Sequence, residues 1–152
     1  MAPFLALVTV TLACRLLGAL GVGYVQTWPD SLAVGLAAMF LLTSSAHFLQ
    51  PRRDGLIAIV PPRLPRPDLI ITATGILEIA GAVGLLIPAA MMPGIRTAAA
   101  VCLAALLVAM FPANVRAASG ERHPAAPRTP LFPRTLLQIL FIASAMIVAV
   151  AS

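Results

Sequence analysis

The sequence predicts an all-α integral membrane protein with five spans. Three observations predict it. The 152 residues are 61% hydrophobic and only 10% charged, against about 25% charged in an ordinary soluble domain. The mean hydropathy is +1.01. The apolar residues gather into five runs, at residues 3–24, 31–49, 68–87, 94–115 and 133–151, each giving ~28–33 Å of helix, close to the hydrocarbon thickness of a bilayer. Continuous runs of that length are helices, because lipid leaves no partner for unpaired backbone groups. Too little hydrophilic sequence remains for a separate soluble domain, so residues 1–152 read as one membrane domain.

The first run begins without a basic segment and continues past Arg15 to Tyr24, so it reads as a retained helix rather than a cleaved signal. Trp28-Pro29-Asp30 separates it from the second run, with Trp28 placed as an interfacial anchor. The second connection holds a short apolar stretch, residues 55–60, bracketed by Arg and Pro and too short to span; it is expected to lie at the membrane interface. Pro62-Arg63-Leu64-Pro65-Arg66-Pro67 is expected to be an extended, stiff linker. Pro88 and Pro93 bound the third connection, and the fourth, Ala117 to Pro133, reads as polar and mobile.

All ten basic residues are arginine. Arg52, Arg53, Arg63 and Arg66 lie in the second connection, and Arg116, Arg122, Arg128 and Arg134 in or beside the fourth, against Arg96 alone in the third. That bias places the second and fourth connections in the cytoplasm, with a cytoplasmic N-terminus and an extracytoplasmic Ser152. Arginine-only usage with abundant Ala and Pro suggests a bacterial chain, hence the bacterial inner membrane. The basic balance points to lipid head groups rather than nucleic acid, since the arginines flank apolar runs. Cys14 and Cys102 each stand alone within an apolar run, with no CxxC, which disfavours thiol–disulfide relay chemistry.

Glu78 is the most informative residue. It lies near the middle of the third run, where a charge costs roughly 2.5–3.5 kcal/mol on insertion scales. The other intramembrane charge is Arg15, ~18 Å along the first helix against ~15 Å for Glu78 along the third. Thr11, Gly18 and Ala19 share a face with Arg15, and Thr74, Gly75, Gly81 and Ala82 share one with Glu78. The two charges are therefore placed to meet near the midplane. Three readings stand: an ion pair that sets helix register, a polar centre that binds a head group, proton or substrate, or two residues that never meet. A second polar set gathers at the arginine-rich ends: His47 with Thr43 and Ser44 on its face, Asn114 just after Phe111-Pro112, and Gln138 about one turn into the fifth helix. Pro112 has no N–H and leaves a carbonyl for another partner. These residues are expected to line one pocket with Glu78 at its floor. One His without a cluster of Cys or carboxylates argues against a metal site, and no nucleophile–base arrangement, phosphate loop or carboxylate pair assigns a catalytic residue.

The segment Met39-Phe40-Leu41-Leu42-Thr43-Ser44-Ser45-Ala46-His47-Phe48 is similar to the "FLxxGxxHF" helix end of DoxX-like membrane proteins. Val60 to Pro65, Thr74 to Leu86 and Phe111-Pro112-Ala113-Asn114-Val115 resemble further blocks of that family, in order and at compatible spacing. The resemblance implies a four-helix transmembrane bundle formed by helices two to five, with the first helix an addition outside or across it. Some members resemble subunits of a thiosulfate:quinone oxidoreductase, others membrane partners of redox or detoxification proteins. The implied function is a membrane accessory protein, not an enzyme on its own, binding a small hydrophobic or quinone-like ligand and supporting a partner oxidoreductase. A membrane assembly or scaffolding factor is the alternative. Quinone is the cofactor so implied; the expected partners are membrane lipids, a redox enzyme and a second copy of the chain. For His47, Glu78 and Asn114 the resemblance carries motif membership alone.

Overall fold

The computed structural model describes residues 1–119, 124 and 130–152. Six helices and a 3-10 turn follow one another: α1 Ala2–Ala19, the turn Gly23–Val25, α2 Trp28–Phe48, α3 Arg52–Ile59, α4 Pro67–Leu86, α5 Ile95–Ser119 and α6 Leu131–Ala151. No strand occurs among the described residues. All but α3 are long and apolar enough to cross a membrane, the pattern of a multi-pass membrane protein.

The ends of these helices follow local chemistry. Pro3, Pro29 and Pro67 each stand in a first turn, where the missing N–H has no helical partner to lose. The Thr27 hydroxyl accepts from the Asp30 amide at 3.2 Å and so starts α2 at Trp28 rather than at residue 31. α1 stops at Ala19, short of Tyr24, because Gly21 takes a positive φ of 102° and turns the chain into Gly23–Val25. α5 runs past residue 115 to Ser119 despite Pro112 inside it, and α6 starts two residues early at Leu131. Of the stretch at 55–60, residues 55–59 are helical as part of α3 and Val60 follows its end in an extended conformation. The Pro62–Pro67 linker is not extended: the Leu64 amide bonds the Pro61 carbonyl at 3.0 Å and closes a turn. The expectation for the fourth connection, with Arg122 and Arg128, falls largely outside the described residues.

Packing closes a ring. α2 lies against α4, α4 against α5, α5 against α6 and α6 against α2, while α1 rests on the outside of α2. Leu36, Met39, Phe40, Leu85, Leu103 and Val148 fill the centre, with alanines at their points of contact. Glycines set the closest approaches: a Cβ on Gly35 would stand 2.0 Å from Thr11 Oγ1, and one on Gly75 2.7 Å from His47 Cβ. Large apolar side chains such as Leu16, Ile76, Leu136 and Ile147 point outward, the surface that lipid covers in a membrane protein and that a soluble one avoids. Cys14 and Cys102 are both free thiols.

Candidate functional site

Inside the ring, toward the end that carries α3, lies a cavity of about 340 Å³. Every helix but α3 contributes to its lining. Met39, Phe40, Leu107, Met110, Leu137 and Phe141 form apolar walls, Met1, Pro3 and Phe4 of α1 form one lip, and Thr43, Glu78, Asn114, Arg134 and Gln138 supply the polar atoms. A wider groove of about 660 Å³ between α4 and α5 is lined by apolar and small side chains, with Cys102 its sole polar or sulfur-bearing one. That groove suits an acyl chain and has nothing to read a head group.

Glu78 is buried in α4, 3% exposed. Its Oε2 lies 3.1 Å from the Thr43 hydroxyl and 3.7 Å from His47 Nε2. The Thr43 hydroxyl has one proton to divide between Glu78 and the Phe40 carbonyl, 3.0 Å away. His47 does not line the cavity; it stands behind Glu78. Its Nδ1 sits 2.9 Å from the Ile71 carbonyl and 3.0 Å from the Thr74 hydroxyl. A carbonyl only accepts, so this contact places a proton on Nδ1, and Thr74 donates instead to the Ile70 or Ile71 carbonyl at 3.0 Å. Nε2 therefore faces the carboxyl as a lone pair in the neutral ring. One proton shared between Nε2 and the Glu78 carboxyl keeps that contact attractive, either as imidazolium with carboxylate or as imidazole with carboxylic acid. Arg53 locks the helix end above: it donates to the His47 carbonyl, to the Thr72 hydroxyl at 3.0 Å and to the Asp68 carbonyl at 3.2 Å.

The opposite wall is a directional chain of hydrogen bonds. Arg134 donates to Asn114 Oδ1 at 3.3 Å, Asn114 Nδ2 donates to Gln138 Oε1 at 3.0 Å, and Gln138 Nε2 donates to the Leu107 carbonyl at 2.6 Å. The break at Pro112 removes the donor that would serve Val108; the carbonyl Gln138 engages is Leu107's, one residue earlier. Both amide oxygens are taken up, so the second N–H of Asn114 and of Gln138 is what this wall has left to offer.

The cavity thus gathers Glu78, Thr43, Asn114 and Gln138, with His47 and Thr74 behind Glu78. Arg15 is elsewhere. It lies one turn before the end of α1, its guanidinium 5.4 Å from the centre of the Trp28 ring. α1 packs on α2, which stands between it and α4, so similar depth along two helices does not bring Arg15 to Glu78. Its Nε has no hydrogen-bond partner among the described residues. Residues not singled out from the sequence also line the cavity: Arg134, Met110 and Phe141. Spacing carries the signal for them, since Arg134, Gln138 and Phe141 fall on one face of α6 and Leu107, Met110 and Asn114 on one face of α5.

At the far end of the ring, Arg96 is 4% exposed and held from two sides. It meets Asp30 at 2.6 Å and donates through Nε to the Leu85 carbonyl at 3.1 Å. The Thr27 hydroxyl donates to Asp30, and the Tyr24 hydroxyl to the Leu86 carbonyl. Among the described residues, no group of three or more His, Cys, Asp or Glu side chains is placed to hold a metal.

The family model described as "Domain of unknown function (DUF8561)" matches residues 36–149, from within α2 nearly to the end of α6, leaving α1 outside the match. No curated protein and no solved structure matches the chain.

Proposed function

The chain belongs to the DUF8561 family, and we propose that it is a membrane accessory protein holding a small hydrophobic or quinone-like ligand in the Glu78 cavity. The observation that carries this reading is the cavity itself: apolar walls with polar groups converging from four helices, the composition of a ligand site rather than of a packed core. An intramembrane carboxyl set against a proton-bearing His47 adds to it, because such groups in lipid are expensive to keep without a task. In this reading Asn114 and Gln138 hydrogen-bond the head group, Glu78 faces its other edge, and His47 takes up or returns the Glu78 proton. The chain serves a partner oxidoreductase, as its resemblance to DoxX-like proteins implies. The arginine-rich connections lie in the cytoplasm of a bacterial inner membrane, which opens the cavity toward that side.

The test is mass spectrometry of the lipophilic compounds retained when the tagged chain is isolated in mild detergent, beside Glu78→Gln and Asn114→Leu variants. Wild type is expected to retain a compound that both variants lose while eluting normally. The same compounds at the same level on all three chains would overturn the reading. A second reading, a membrane assembly or scaffolding factor, is favoured by exposed Arg52, Arg63, Arg66 and Arg116 at that end of the ring. It predicts that changes at those arginines matter and that Asn114→Leu is silent.

A further inference from the structure

We propose, resting on the ligand reading above, that the occupant of the Glu78 cavity is a single-tailed amphiphile seated sideways. Its compact head lies between Glu78 and the Asn114–Gln138 wall, and its tail leaves into the lipid between α1 and α6.

The seam between those helices is built into the packing. α6 lies against α5 and α2, and α1 against α2 and the 3-10 turn. The cavity lining nevertheless includes Met1, Pro3 and Phe4 from α1 and Leu137 and Phe141 from α6. α1 and α6 share this cavity wall but are not among the closely packed helix pairs, and the residues they bring to the join are apolar, so the join is where a tail would pass. The aqueous end of the cavity is different: Arg134, bonded to Asn114, stands there. A hydrocarbon tail therefore has a way out through the seam and a charged group in its path toward water.

The polar atoms define the head. On the α5–α6 wall both amide oxygens are engaged within the chain, so the wall presents N–H donors and asks for an acceptor. On the α4 side Glu78 Oε1 has no partner among the described residues, while Oε2 is held by Thr43 and His47. With the one proton of the Glu78–His47 pair lying between Nε2 and Oε2, Oε1 is an acceptor on whichever side that proton sits, and it takes a hydroxyl. The head is accordingly a ring-sized group with an oxygen on each edge, a hydroxyl toward Glu78 and a carbonyl or hydroxyl toward the amides. A volume of about 340 Å³ is near the small end of ligand pockets, roughly 300–1,000 Å³. It takes such a ring and leaves the tail outside.

A tail-length series on the unaltered full chain tests this. The chain is placed in phosphatidylcholine nanodiscs and titrated under argon with 2-alkylhydroquinones from ethyl to dodecyl, binding being expressed against the mole fraction of hydroquinone in the bilayer. A tail that stays in lipid whether the head is bound or free contributes equally to both states. Affinities within about twofold across the series are therefore expected. Binding that is lost once the tail outgrows the cavity would overturn the sideways seat and leave a closed ligand site standing. Failure of every member to bind saturably would overturn the ligand reading itself, and this inference with it.

Discussion

At one end of the ring Arg96 and Asp30 meet at 2.6 Å, and the other polar contacts named there end on Asp30 itself or on a backbone carbonyl. At the other end Glu78 turns one oxygen into a cavity, and two amides keep a donor each in reserve. Both ends bury charge among apolar residues. One spends its hydrogen-bonding capacity on joining α2, α4 and α5, the other leaves part of it open. In a bundle held by close packing in lipid, the first arrangement fixes geometry and the second is available for a ligand.

The largest expected effect of breaking this contrast is at the closed end. Arg96→Leu leaves the part-buried Asp30 without its charged partner and the Leu85 carbonyl without its donor, and the cost approaches the ~3 kcal/mol of breaking a fully buried pair. The measurement is the temperature at which monodisperse protein is lost in detergent, expected to fall well below that of wild type. Gly75→Ala comes next. Its Cβ would collide with His47 Cβ and the Phe48 ring, a backbone-borne conflict worth about 1–3 kcal/mol. It should lower stability and also disturb the His47–Glu78 contact, which a ligand-binding assay would read. Glu78→Gln sharpens the comparison from the open side. It keeps the side-chain volume and removes the charge, so stability should change by less than about 1 kcal/mol. Ligand affinity should fall about tenfold or more, the worth of a hydrogen bond to a charged group. The smallest effect belongs to Arg15→Leu. The Trp28 contact at an exposed site is worth about 0.5–1 kcal/mol, and binding in the cavity should not change.

Much of this fold was legible in the sequence because lipid enforces it. A run of about twenty apolar residues has few options, although Pro29 and Pro67, read as punctuation and linker, turn out to stand in the first turns of α2 and α4. Glu78 stood out because nothing near it in sequence resembles it, and Asn114 and Gln138 because amides are scarce in apolar runs. The partnerships were not legible. Depth along a helix placed Arg15 and Glu78 at one level, but which helix neighbours which is decided by the Gly35–Thr11 approach, which seats α1 on α2. Asp30 and Arg96 read as ordinary flanking charges, since 66 residues separate them and each lies beside a turn. His47 read as a pocket residue because its face could be inferred, whereas the Ile71 carbonyl that turns it behind Glu78 has no side-chain signature.

The most direct single measurement compares Glu78→Gln with Arg96→Leu in the same nanodiscs, recording thermal stability and 2-decylhydroquinone binding for each. Glu78→Gln is expected to melt like wild type and bind tenfold or more weakly, while Arg96→Leu is strongly destabilised. A Glu78→Gln chain that binds like wild type, or that is destabilised as severely as Arg96→Leu, would contradict this by making Glu78 one more structural charge.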